Sequence, residues 1–144
     1  MLMHSEVLLV ASRNRLPRIQ CRGGIQARCT APDTVHLVSA AATPLGGDTI
    51  EIRLIVEQGA RLELRSAAAT LALPGANTRT SHARWEIDVT GSLDVDLEPT
   101  VIAATARHVS SVALYLHDDG RVRFRERVQI GRCNEREGFW SGSL

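Results

Sequence analysis

Aromatic residues make up only 3% of this 144-residue chain, and lysine is absent altogether. Two Trp, two Phe and one Tyr cannot supply the several exposed rings on which single-stranded nucleic acid stacks. All 17 basic residues are Arg. Set against 16 acidic residues they leave a net charge of +1, so the overall balance selects no polyanionic partner. No apolar run approaches the length of a membrane span. The first run, Val7 to Ala11, is also too short for a secretory leader, and Glu6 stands where a basic flank belongs. Three cysteines, Cys21, Cys29 and Cys133, are odd in number and lack CxxC spacing, which reads as free thiols in a reducing compartment. A cytoplasmic protein is expected.

Catalytic signatures are missing too. The chain has no GxSxG elbow, no GxxxxGK phosphate loop, no GxGxxG and no HExxH. His4, His36, His82, His108 and His117 are scattered, with no pair spaced to share a metal. Local spacing therefore offers no three or four convergent ligands for a stable structural site.

What remains is an ordinary globular composition, 44% hydrophobic and 23% charged, whose core must be built from Val, Leu, Ile and Ala. A single domain of this length buries roughly 68–70% of the surface its unfolded chain exposes. Apolar and polar residues alternate with period two almost throughout. Ile50, Ile52, Leu54 and Val56 alternate with Glu51, Arg53 and Glu57; Trp85, Ile87 and Val89 with Glu86, Asp88 and Thr90. The pattern predicts an all-β fold with little helix, as two packed, antiparallel-rich sheets in an elongated sandwich or a β-helical arrangement. Asp118-Asp119-Gly120, between Val112–Leu116 and Val122–Ile130, reads as a hairpin turn. Ser66 to Leu73 is Ala-rich enough to suggest one helical turn.

Charge is uneven. Arg13, Arg15, Arg18, Arg22 and Arg28 fall in a stretch from Val7 to Pro32 without a single acid, a solvated face or a weak RNA-binding strip. Asp94, Asp96 and Glu98 lie on one strand face, which reads as a solvated face, an acidic docking surface or a weak cation path. Thr43-Pro44-Leu45-Gly46-Gly47-Asp48-Thr49 is the most distinctive string. Its glycines permit a sharp reversal and close approach of another chain, and Asp48 either caps the turn or presents a carboxylate from a fixed point.

Taken in order, His36-Leu37-Val38, Pro44-Leu45-Gly46-Gly47-Asp48, the strand Ile50 to Glu57, Gly59-Ala60-Arg61-Leu62, Ala68-Ala69-Thr70, Glu98-Pro99-Thr100-Val101 and Arg125 to Arg132 resemble the UreD (UreH) urease accessory proteins. The resemblance implies a non-catalytic scaffold that binds urease apoprotein with UreF and UreG and helps pass Ni²⁺, held as cargo with no stably bound cofactor. It carries over Asp48, within a loop motif of Pro44, Gly46 and Gly47, and Glu126 as metal-passage residues; Asp94, Asp96, Glu98 and Arg132 are read beside it as a possible partner surface. From composition and run length, no nucleic-acid or membrane partner is expected. Two departures concern shape: Ala41-Ala42-Thr43-Pro44 is a shorter approach to the glycines, and Val95 stands where the family often has Trp. Residues 1–144 are expected to form one domain lacking the family's C-terminal part. Other readings are a plain all-β binding module, or a hydrolase pairing a Ser with His36 or His108.

Overall fold

The computed structural model describes residues 2–39 and 43–144, so the Ala41-Ala42 approach lies outside the described residues. These contain fourteen strands and no helix. In chain order they are β1 (His4–Ala11), β2 (Arg18–Arg22), β3 (Ile25–Ala31), β4 (Thr34–Ser39), β5 (Thr49–Val56), β6 (Arg61–Ser66), β7 (Thr70–Ala72), β8 (Thr80–Val89), β9 (Ser92–Asp96), β10 (Thr100–Ile102), β11 (Arg107–Leu116), β12 (Arg121–Arg125), β13 (Val128–Ile130) and β14 (Phe139–Ser143). The expected all-β class holds.

The strands form three sheets, ordered β14-β11-β8-β5-β1-β2, β12-β9-β6-β4-β3 and β13-β10-β7. From β5 onward the chain visits the three in turn, so β5-β6-β7, β8-β9-β10 and β11-β12-β13 are successive coils of a solenoid. Among the described strands only β1–β2 and β3–β4 pair antiparallel, and every other pairing is parallel. That corrects the expectation of two antiparallel-rich sheets in favour of the β-helical arrangement. Period-two alternation reports which face is buried and is blind to the direction of the neighbouring strand.

The Asp118-Asp119-Gly120 hairpin is corrected for the same reason. β11 pairs with β8 and β14 while β12 pairs with β9, so the turn is a corner between sheets. Asp118 takes φ 48°, a conformation that serves a corner as readily as a hairpin. The corner stacks on its predecessors: His117 N donates to Val89 O (2.9 Å) and Thr90 N to Val56 O (2.8 Å). Stacking brings backbone close at Gly91, where a Cβ would lie 2.2 Å from Ala60 O. Ser66–Leu73 is likewise a corner followed by β7, with no helical turn.

Parallel register lines identical faces up into ladders. Leu9, Leu54 and Ile87 are adjacent and fully buried, with Leu114 next in register but only partly covered. On the opposing sheet Leu62 and Leu93 lead to Val122, and Leu64 and Val95 to Phe124. Each such fully buried side chain stabilises the fold by about 1.5–3 kcal/mol. Val95 is fully buried in this ladder, and the ring of Trp85 meets Phe124 edge-on at 5.2 Å. A smaller cluster, Ala72, Ile102, Ala103 and Ala106, packs behind the three-stranded sheet.

Candidate functional site

The Pro44–Asp48 string is a closed knot. Asp48 is 2% exposed, and its carboxylate accepts from Met3 N (2.9 Å), Thr43 Oγ1 (3.0 Å) and Leu45 N (2.8 Å). Short-range donors at three and five residues' distance make it a turn cap, and Met3 ties the start of β1 to it. Gly46 N donates to Leu73 O and Gly47 N to Thr80 O, so the knot is pinned to the connection between β7 and β8. A Cβ on Gly46 would lie 1.8 Å from Thr78 O, and Gly47 takes φ 96°; both positions demand glycine.

Glu126 occupies a different place, the corner between β12 and β13. Instead of pairing with its neighbours Arg125 and Arg127, it accepts from Ser110 Oγ at 3.1 Å. Desolvation raises its carboxyl above the ordinary value, partly offset by the Ser110 hydrogen bond. Glu126 is itself exposed and borders a partly open chamber of 190 Å³ whose walls include Ile52, Trp85, Val95, Phe124 and Trp140. Asp48 is not among the residues lining it. The two carboxylates named from sequence are therefore not brought together in one pocket.

His108 and Ser110 face the same chamber from β11. His108 Nδ1 lies 2.8 Å from Ser81 Oγ, and both residues are buried. Burial, assisted by the charge of His82, depresses the imidazole to about 4. The ring is thus neutral at physiological pH, an acceptor or donor rather than a charge. Sequence reasoning names His108 as a partner for an unspecified Ser but identifies neither Ser81 nor Ser110. The available signal was polar residues at inward phase, since His108 and Ser110 alternate in step with Val112 and Leu114.

Of the remaining candidates Glu98 also lines the chamber, and the others sit on the outside. Asp94 is paired with Arg65 (3.2 Å) and Asp96 with Arg127 (3.1 Å) and Arg125 (3.9 Å), so neither offers a bare acidic face. Glu98 lies beyond the end of β9, its backbone N donating to Ser66 Oγ at 2.8 Å. Arg132 grips Glu135 through Nε and Nη2, both 2.9 Å; these bonds hold Glu135 down at about 2 and push Arg132 above its ordinary value. Glu135 also accepts from Ala104 N and Arg132 N, which fixes the β13–β14 connection. Arg13, Arg15, Arg18, Arg22 and Arg28 are all exposed. His36 binds Thr30 Oγ1 on the surface at 2.7 Å. For the hydrolase reading, the Ser81–His108 contact is the relevant pair. Among the described residues no carboxylate hydrogen-bonds the His108 ring, so the third member of a triad is missing.

Donors of this kind suit weak, reversible handling of a cation. A chamber lined by two carboxylates, Glu98 and Glu126, a neutral imidazole and hydroxyls is far from the closed set that traps a transition metal. No helix among the described residues is long and apolar enough to cross a membrane.

Residues 11–144 match a family model described as "UreD urease accessory protein". The chain is similar to urease accessory protein UreD 1 of Saccharopolyspora erythraea, 39% identical over 124 residues covering 85% of this chain and 49% of that protein. Similarity extends to the UreD proteins of Parafrankia sp., 42% identical over 112 residues (76% and 38% of the two chains), and Frankia alni, 44% over 107 residues (73% and 36%). The chain spans about half or less of the length of these relatives.

Proposed function

The chain belongs to the UreD family of urease accessory proteins, and from that premise we propose that it is a non-catalytic scaffold that helps deliver Ni²⁺ to urease apoprotein in complex with UreF and UreG. The observation that carries this reading is the family match running from residue 11 to residue 144. Ni²⁺ enters as cargo. The chemistry of the chamber supports transit over storage: carboxylate, hydroxyl and neutral imidazole donors hold a divalent ion loosely, whereas a cage of thiolates and imidazoles would retain it. Within the proposal Glu126 is the group that touches the ion, and Asp48 positions the β4–β5 connection and the start of β1.

Complementation of a strain lacking its UreD protein tests the proposal. Expression of this chain restores urease activity and nickel content together, and co-purification recovers UreF or urease apoprotein. Glu126→Gln then lowers nickel loading with the fold intact. A strain whose urease is fully nickel-loaded without any UreD protein would sink the idea. A second reading, a binding module without a metal role, draws on the full hydrogen-bonding of Asp48 by its own turn and by Met3 N. It expects partner binding to persist and nickel loading to be indifferent to Glu126→Gln.

A further inference from the structure

The outer face of the six-stranded sheet carries a cluster unrelated to the chamber. β1 and β5 run parallel in register, placing His4 beside Thr49 and Glu6 beside Glu51. Residues two apart on a strand point the same way, so His4, Glu6 and Glu51 emerge together. His4 Nε2 lies 3.1 Å from Glu6 Oε1 and 3.3 Å from Glu51 Oε2. One ligand atom from each of the three lies within 4.8 Å of the other two. Their side chains are 51%, 46% and 41% exposed, open to an ion from solvent.

Two carboxylates on adjacent strands repel each other and leave a site of negative potential between them. Arg84 Nη1 stands 3.7 Å from Glu51 Oε1, which orients that carboxylate and leaves Oε2 turned toward His4. Arg22 is opposite Glu6 on β2. The two arginines moderate the potential around the three donors. We propose that His4, Glu6 and Glu51 form a surface site for a borderline divalent cation of the Zn²⁺ class, bound by one imidazole nitrogen and two carboxylates with water completing the shell. Mg²⁺ is a poor fit, since it favours oxygen ligands and gives up its water reluctantly. The donors come from two paired strands rather than loops, so their spacing is held by the sheet. Sequence spacing hid the set because Glu51 joins only through the β1–β5 register.

The test is binding to the isolated full chain, independent of any role in urease maturation. Zn²⁺ added below one equivalent shifts the His4 imidazole resonances in nitrogen-correlated spectra ahead of those of His36, His82, His108 and His117. By calorimetry, His4→Ala and Glu51→Gln each weaken Zn²⁺ binding by at least about tenfold. Gln at position 51 retains an acceptor for His4, so its effect reads charge rather than misfolding. His117→Ala removes the other exposed His–acid pair, with Asp88 at 2.9 Å, and leaves affinity within about twofold. The assignment is overturned if His4 does not respond first, as when the exposed cysteines take the metal, if His117→Ala weakens binding as much as His4→Ala, or if Mg²⁺ competes on equal terms.

Discussion

Asp48 and Glu126 are both acidic, yet they respond oppositely to neutralisation. Asp48→Ala strands two backbone N–H groups and a hydroxyl, lowering the unfolding free energy by about 2–4 kcal/mol in urea titration. Asp48→Asn retains one acceptor oxygen and loses less. Glu126 carries a desolvation penalty when charged, because its folded value is raised above the unfolded one. Its favourable contribution is fully present below the unfolded value and disappears as pH rises through the folded one. Glu126→Gln therefore increases stability relative to the native chain near pH 7, and the gap closes on acidification; a gap that widens at low pH contradicts the assigned desolvation. His108 runs the other way. Its value falls from 6.5 unfolded to about 4 folded, so protonation favours the unfolded chain, and stability drops as pH falls through this window. The loss is about 3 kcal/mol across the window, and His108→Gln removes most of that slope in unfolding curves recorded from pH 7 to pH 4.

Corners, not strands, decide which elements meet. Gly91→Ala forces a methyl against Ala60 O and Glu57 O, both backbone atoms that the stack holds in place. Gly59→Ala at φ 76° meets only the flexible Arg13 side chain and costs about 1 kcal/mol of conformational strain. Thermal melts should place Gly91→Ala well below Gly59→Ala, and the reverse order would contradict the stacked-corner geometry. This contrast also explains what the sequence revealed. Strand positions such as Ile50–Val56 and Trp85–Val89 were legible because burial imposes period two on them. Strand partners were not, since Val128 and Ile130 read as a continuation of Val122 and Phe124 until the corner at Glu126 moves them to another sheet. Asp48 stood out through its glycines, whereas the Ser81–His108 contact depends on the β8–β11 register and leaves no local spacing to read.

At the scale of the described strands, the coil β11-β12-β13 is the least covered. β12 and β13 each pair on one side only among the described strands, and β14 covers only Arg107–Ser111 of β11. Val112, Leu114, Val122 and Phe124 are accordingly only partly buried. Outward-facing Arg121, Arg123 and Arg125 line the β12 edge, and like charges meeting edge to edge discourage pairing with a second copy. Arg123→Thr should increase the fraction of larger species in sedimentation velocity runs at low salt, and an unchanged distribution would remove the protective role of the arginine row. Parallel coiling has a further consequence for how the chain acquires its shape. Among the described residues the antiparallel pairings, β1–β2 and β3–β4, lie in the first 39 residues, and from β8 onward each strand pairs with one in the coil before it. A ribosome releases this chain in the order in which the coils stack, so the amino-terminal strands become a template at the tunnel exit before the strands that need them have been translated.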